Sequence, residues 1–385
     1  MTEFIQLHLL VSYPPSNLNR DELGRPKTAI VGGRQRLRIS SQSLKRAWKT
    51  SELFEQKVSG YIGIRTRELG LLIQKSLVEG VPLPDLVGKA GKKKDRRKAL
   101  TPEDAGEWAA KFVQLINGKK IETVKEKSKK DKPAEEFDIE SLEIGQVTHF
   151  SPEEIRTIDD FLEAIAAGKK VDDKELCVFT TDQSAVDVAL FGRMLAAVPI
   201  FSVEAAVQVA HAFTVHHVSI EDDYFTAVDD LNAGLENVGA AHLGEIEFGS
   251  GVFYLYICIN RTQLLQNLHG NVALMQAAIR GMIETAAKVG PAGKQSSFAS
   301  RAYASYILAE RGTQQPRSLS VSFLKPVSGD DLLGEAIQKL EHTRKYFDET
   351  YGPCANACKV LNASGFGEKG CTLDELCTFA ADEHV

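Results

Sequence analysis

The chain has 385 residues, 43% hydrophobic and 25% charged, a balance that excludes wholesale disorder. No apolar run approaches the roughly 20 residues a membrane span needs. The opening Met1–Gln6 lacks the basic start of a secretory signal, and six scattered cysteines do not make a disulfide scaffold, so a reducing cytoplasm is the expected compartment. The net charge of −6 conceals a split. Residues 20–49 hold nine Lys/Arg against two acids, 89–98 seven against one, and 119–132 seven against three. An acidic body with concentrated basic surfaces permits a polyanionic partner.

Ile5, Leu7, Leu9 and Val11 alternate over Phe4–Val11, which predicts a half-buried strand. A loop punctuated by Pro14, Pro15, Gly24, Pro26, Gly32 and Gly33 follows. In an extended chain Arg34, Arg36 and Arg38 share one face, and Leu37 and Ile39 share the other. Three arginines on one face make an anionic ligand a better reading than a solvated edge strand. Ser40-Ser41-Gln42-Ser43 then precedes a helical pattern, in which serines serve as caps. Lys45 and Lys49 fall one turn apart, while Leu44, Ala47 and Trp48 turn to the core. The N–H groups of the first turn and the helix dipole favour an anion there.

Residues 55–182 read as a helical insertion. Thr101-Pro102-Glu103-Asp104 and Ser151-Pro152-Glu153-Glu154 are matched helix starts, and Gly168 suits a helix end. Gly88–Lys98 and Gly118–Pro133 are lysine-rich tips, open either to nucleic acid or simply to solvent. Beyond Asp187, Ser202–Phe213 predicts a capped, buried helix. Val252–Asn260 predicts a central strand, Val272–Val289 a helix stopped by Gly290-Pro291, and Leu319, Val321 and Phe323 a further strand. Strand–helix units around a long insertion fit an α+β sandwich of ferredoxin type.

No phosphate loop, dinucleotide fingerprint or zinc-protease helix is present. His211, His216 and His217 do not share a helix face, so packing and polar contacts suit them better than metal. Asp222-Asp223 and Asp229-Asp230 lack a third ligand at a recognisable spacing. Cys354, Cys358, Cys371 and Cys377 are spaced more loosely than zinc knuckles and read as small apolar residues of a helical tail.

Six segments, kept in order, together carry a resemblance. Leu18-Asn19-Arg20-Asp21 leads into Gly32–Arg46. Asp187–Met194 and Phe225–Leu231 follow, and Gly239–Gly244 runs on to Phe248–Tyr254. Residues 1–50 and about 185–325 closely resemble the CasC family, the RNA-binding backbone subunit of the type I-E CRISPR surveillance complex, Cascade. The resemblance implies a non-catalytic protein with no cofactor and no metal. It implies an RNA-recognition-motif (ferredoxin-like) palm at 1–54, 183–218 and 251–385, the last with a C-terminal helical tail. It further implies a helical fingers insertion at 55–182 and a thumb β-hairpin at 219–250. Partners would be the guide crRNA, further copies in a filament, other Cascade subunits, the target DNA strand and a trans-acting or fused nuclease, with no membrane.

Carried over by motif, Arg20, Ser40, Gln42, Lys45 and Lys49 would hold the guide backbone, joined by Arg34, Arg36, Arg38 and Ser41. Arg193 and Met194 would meet RNA, with Met194 near a displaced base, and Lys294 would meet a phosphate. In the thumb, Leu235, Val238, His242 and Leu243 would lie over the RNA and kink it at intervals. Lys92, Lys93, Lys94, Lys129 and Lys130 at the fingers tips would touch target DNA. A phosphate site blind to sequence suits a guide-binding subunit, because sequence reading is left to pairing. Two rivals remain. One is an RNA-processing nuclease using His216 or His242 as base. The other is a free-standing single-strand-binding protein, which needs aromatic platforms that an aromatic content of 8% does not favour.

Overall fold

The computed structural model describes residues 2–88, 97–119, 142–172, 175–181, 184–227 and 242–382, with the side chains of His242 and Leu243 left aside. The chain opens with β1 (Phe4–Ser16), β2 (Thr28–Val31), β3 (Arg34–Ile39), α1 (Ser41–Lys49) and α2 (Glu52–Lys57). There follow β4 (Ile64–Thr66), α3 (Leu69–Glu79), α4 (Leu83–Val87), α5 (Pro102–Ile116), β5 (Thr148–Phe150), α6 (Pro152–Ala166) and α7 (Val186–Phe191). The chain continues through β6 (Val207–Val209), β7 (Ala212–Thr214), β8 (Glu221–Ala227), β9 (His242–Asn260), α8 (Arg261–Asn267), α9 (Val272–Lys288) and α10 (Gln295–Phe298). Last come β10 (Ala304–Gly312), α11 (Leu332–Tyr351), β11 (Ala357–Asn362) and α12 (Leu373–Ala381). Two units emerge: residues 1–57, 207–263 and 275–385 form one, and 58–206 with 264–274 form the other.

The first unit is built on an antiparallel sheet in the order β11-β10-β1-β9-β7-β3-β2. β1 pairs with β9 (Leu10 opposite Tyr254) and with β10 (Leu10 opposite Tyr306). It is therefore central, and Ile5 to Leu10 are all buried rather than alternately exposed. Gln6 and His8 are buried because they have partners: Tyr256 Oη donates to Gln6 Oε1 at 2.9 Å, and His8 lies between Tyr254 Oη (2.9 Å) and Glu310 Oε2 (3.2 Å). Burial opposes ionisation of Glu310, yet hydrogen bonds from His8 and Arg317 outweigh it and hold the carboxyl down at about 2. On the same side as Leu10, Tyr254, Leu308, Phe323, Ala336 and Leu340 make one apolar cluster. On α1 and α2, Trp48 and Phe54 are buried; Trp48 Nε1 donates to Val289 O at 3.0 Å, and Phe54 packs beside Gly281 of α9.

Two expectations fail in this unit. Ser202–Phe213 is not a helix. It holds β6 and the start of β7, both paired to β9. Val207 and Val209 are β-branched and the long β9 offers them a ladder, which outweighs the alanine-rich helical pattern. Leu319–Phe323 is not a strand. Ser320–Phe323 is a 3-10 turn whose Phe323 is buried in the apolar cluster, so the alternation reflected one-sided packing.

The second unit is mostly helical, with a small β4–β5 pair. Ile73 and Leu77 of α3, Ala109 and Phe112 of α5, and Ile158 and Leu162 of α6 face one core at i, i+3 and i+4 spacings. Thr101 and Ser151 cap α5 and α6, each followed by proline at N1. At α6 the capping box is complete: Ser151 N donates to Glu154 Oε2 (2.8 Å), and Glu154 N to Ser151 Oγ (3.1 Å).

Candidate nucleic-acid interface

The basic segment begins at the β2–β3 turn. Gly32 and Gly33 both have positive φ, at 58° and 73°, as a two-residue hairpin turn requires. A Cβ at Gly32 would meet Leu324 O at 1.7 Å. The turn holds Arg34 exposed at the head of β3. Arg36, two residues on, departs from the expectation. It is fully buried, with Nη1 donating to Thr214 O at 2.9 Å and Nη2 to Phe323 O at 3.0 Å. Burial pulls its pKa down. Arg36 ties β3 to β7 and the 3-10 turn and presents nothing to an external anion. Arg38 is half-buried, and its Nη1 reaches His211 Nδ1 at 2.7 Å.

Ser40 caps α1 and accepts from Ser43 N at 3.3 Å, while its own N–H donates to Asn19 Oδ1 at 2.9 Å. Both groups are thus used internally. Ser41 and Lys45 remain half-exposed and Gln42 exposed on the first turns, and Lys49 half-exposed on the last. Burial holds the Lys45 ammonium below the ordinary lysine range, a penalty that a neighbouring anion would offset. Beside α1 lies an open depression lined in part by Asn19, Arg20, Asp21, Ser43, Arg46 and Gly293. Gly293 packs on the Leu18 and Asn17 carbonyls, where a Cβ would come within 2.7 Å of Leu18 O. Lys294 follows with left-handed backbone, φ 53°, and is half-buried. α1 thus carries Ser41, Gln42, Lys45 and Lys49, while its Arg46 lines the depression together with Arg20 and with Gly293, the residue before Lys294.

Sequence reasoning missed the residues that hold this surface together. Asn17 is buried and donates from Nδ2 to Gly24 O and Glu247 O, both at 2.9 Å. Arg25 Nε pairs with Glu247 at 3.1 Å. Together they fasten the 17–25 loop to the start of the long β9. β8 and β9 form an antiparallel hairpin from Glu221↔Phe248 to Ala227↔His242. Leu235 and Val238 lie outside the described residues, as do Asp229, Asp230, Lys92, Lys93, Lys94, Lys129 and Lys130.

Arg193 is a second correction. It is 4% exposed, and its Nη1 donates to both Glu154 carboxylate oxygens at 2.7 and 2.9 Å and to His149 O at 3.1 Å. Nη2 donates to Phe201 O at 3.1 Å. The guanidinium is fully engaged inside the second unit and is not exposed for RNA. Met194, next to it, is 81% exposed.

His216, a candidate base, is also occupied: Nδ1 donates to His217 O at 2.9 Å, and Nε2 accepts from Val252 N at 3.2 Å. That arrangement suits a brace between strands better than a proton carrier. Among the described residues no three His, Cys, Asp or Glu side chains are grouped to hold a metal ion, and no helix is long and apolar enough to cross a membrane.

The family model for the CT1975-like protein matches residues 5–378. The chain belongs to the CT1975-like family. This agrees with the resemblance to Cascade backbone subunits that the sequence motifs carry. A solved chain titled "CRISPR RNA-guided surveillance complex, pre-nicking" is 27% identical, with a TM-score of 0.73 over 98% of this chain and 100% of that one. A chain of another "CRISPR RNA-guided surveillance complex" is 22% identical, with a TM-score of 0.56 over 98% and 99%, a likeness of fold. No curated protein matches. In this member of the CT1975-like family, the mixed α/β architecture with its main antiparallel sheet is the one shared with the first structure.

Proposed function

We propose that this chain is the guide-RNA-binding backbone subunit of a type I-E CRISPR surveillance complex, without a catalytic centre of its own. The observation that carries the reading is α1, which follows β3 of the antiparallel sheet: Ser41 and Gln42 stand on its polar first turn, Lys45 and Lys49 follow one turn apart, and its Arg46 lines a depression shared with Arg20 and Gly293. Such a surface binds phosphates and reads no bases. The full-length likeness to a surveillance-complex chain supports the assembly context. The strand order β10-β1-β9-β7, with helices in the connections, supports reading the first unit as a palm of RNA-recognition-motif type. The β8–β9 hairpin supports a thumb, and the second unit supports the fingers. Copies of the chain would line up along one crRNA beside other Cascade subunits, each thumb kinking the strand. The guide would then be presented for pairing with target DNA, and a recruited nuclease would cut. The lysine-rich tips would meet the DNA, and the complex would work in the cytoplasm.

The test is a double substitution, Lys45→Ala with Lys49→Ala. RNA affinity falls by similar factors for unrelated guide sequences, and the log–log salt slope flattens by about 0.7 per lost phosphate contact. A loss that varies strongly with guide sequence, or an unchanged slope, overturns the phosphate assignment.

A further inference from the structure

His211 sits on the exposed bend between β6 and β7, beside the end of β3 where Ile39 pairs with Ala212. Its Nδ1 lies 2.7 Å from Arg38 Nη1. A guanidinium can only donate, so Nδ1 is the acceptor and the ring proton of the neutral imidazole is on Nε2. Lys27 lies on the adjoining segment, held by the Arg38 N–H to Lys27 O bond at 2.7 Å. Among the described residues, the charged groups bearing on the ring are Arg38 from β3 and Lys27 from the segment before β2. Both are cations. Partial burial and these two charges keep the imidazole neutral.

Arg38 thus meets His211 through its side chain and Lys27 through its backbone, two residues before the Ser40 cap of α1, and the charges bearing on the ring are positive.

We propose that Lys27, Arg38 and His211 form a second anion subsite, for a nucleic-acid phosphodiester, which takes up a proton from solvent as it fills. The inference rests on the RNA-binding reading and adds a regulated contact to it. An arriving phosphodiester supplies the negative charge that the trio lacks. Arg38 and Lys27 turn to its oxygens, and Nδ1, released from Arg38, accepts a proton. The imidazolium then donates to the same anion. Bound protein holds more protons than free protein, so affinity rises as pH falls through the histidine range.

The test uses the full chain and a fluorescently labelled single-stranded RNA, with anisotropy measured at constant ionic strength. Between about pH 7.5 and pH 5.5 the wild-type chain binds about tenfold more tightly, the factor that one unit of pKa displacement yields. His211→Gln, whose amide does not titrate, loses this gain. Lys45→Ala with Lys49→Ala binds more weakly yet keeps it. Calorimetry of wild type in two buffers of different ionisation enthalpy shows net proton uptake near pH 6.5, roughly the ordinary histidine value. RNA binding with a flat pH profile, or a gain retained in His211→Gln, overturns the subsite and leaves the guide-binding reading standing. Absence of RNA binding at every pH overturns both.

Discussion

The β3–α1 segment and the turn after α7 are both arginine-bearing, and each lies in a stretch that resembles an RNA-binding motif. Their charges fare differently. At the turn, Arg193 is drawn inward by Glu154, which already completes the α6 capping box and also accepts Thr180 N at 3.1 Å. In β3 the arginines divide. Arg36 is buried against two carbonyls, while Arg34 and Arg38 reach the surface. An arginine with all its partners inside the fold is a brace, whereas one that reaches the surface stays open to an external anion. Residue type is the same in both cases.

Removing the anion that holds Arg193 breaks that comparison most severely. Glu154→Ala leaves a buried guanidinium uncompensated and also removes a cap, so unfolding free energy drops by about 3–5 kcal/mol in urea titration. Arg193→Met with Glu154→Gln loses much less, because no net charge is left inside. Equal losses for the two variants would mean the pair is not the brace described.

The first unit has its own buried carboxylate. Glu310→Gln destabilises the chain near neutral pH by on the order of 3 kcal/mol, the scale of the carboxyl's displacement from 4.5 to about 2. The sign follows from a folded value below the unfolded one. The contribution is complete above about pH 5 and fades as pH falls toward 2. The difference between wild type and variant, followed by thermal unfolding against pH, therefore narrows on acidification. A gap that is constant with pH would contradict the ionised pairing of Glu310 with His8 and Arg317.

Within β3 the contrast is sharper and smaller. Arg36→Met exposes no charge but leaves the Thr214 and Phe323 carbonyls without these donors, a loss of about 1–3 kcal/mol. Arg38→Ala changes stability by no more than about 0.5 kcal/mol, as for an ordinary surface position. RNA affinity follows the reverse order: it falls for Arg38→Ala and holds for the folded fraction of Arg36→Met. Denaturation and anisotropy on the same two preparations decide the matter.

Much of the fold was legible locally. Thr101-Pro102, Ser151-Pro152 and Ser40 marked helix starts because a cap and its first turn are neighbours in sequence. Val252–Asn260 announced a central strand by being apolar on both faces. The Ser202–Phe213 segment was not legible, since its conformation depends on the ladder offered by β9, some fifty residues further on. Of the candidate site, Arg20, Gln42 and Lys45 could be read from their motif. His211 could not, because only the folded sheet sets it against Arg38.

By itself, then, the amino-acid sequence determined the charge segregation, the capped helices, the core strand and the family to which the chain belongs. All of these depend on residue types within a few positions of one another, or on motifs kept in order. The tertiary structure decided which arginines are buried braces and which reach the surface. Arg36 is withdrawn by Phe323, nearly three hundred residues away, and Arg193 by Glu154 at the start of another helix. Solvation of a charge is a property of everything packed around it, and that neighbourhood exists only once distant segments have met.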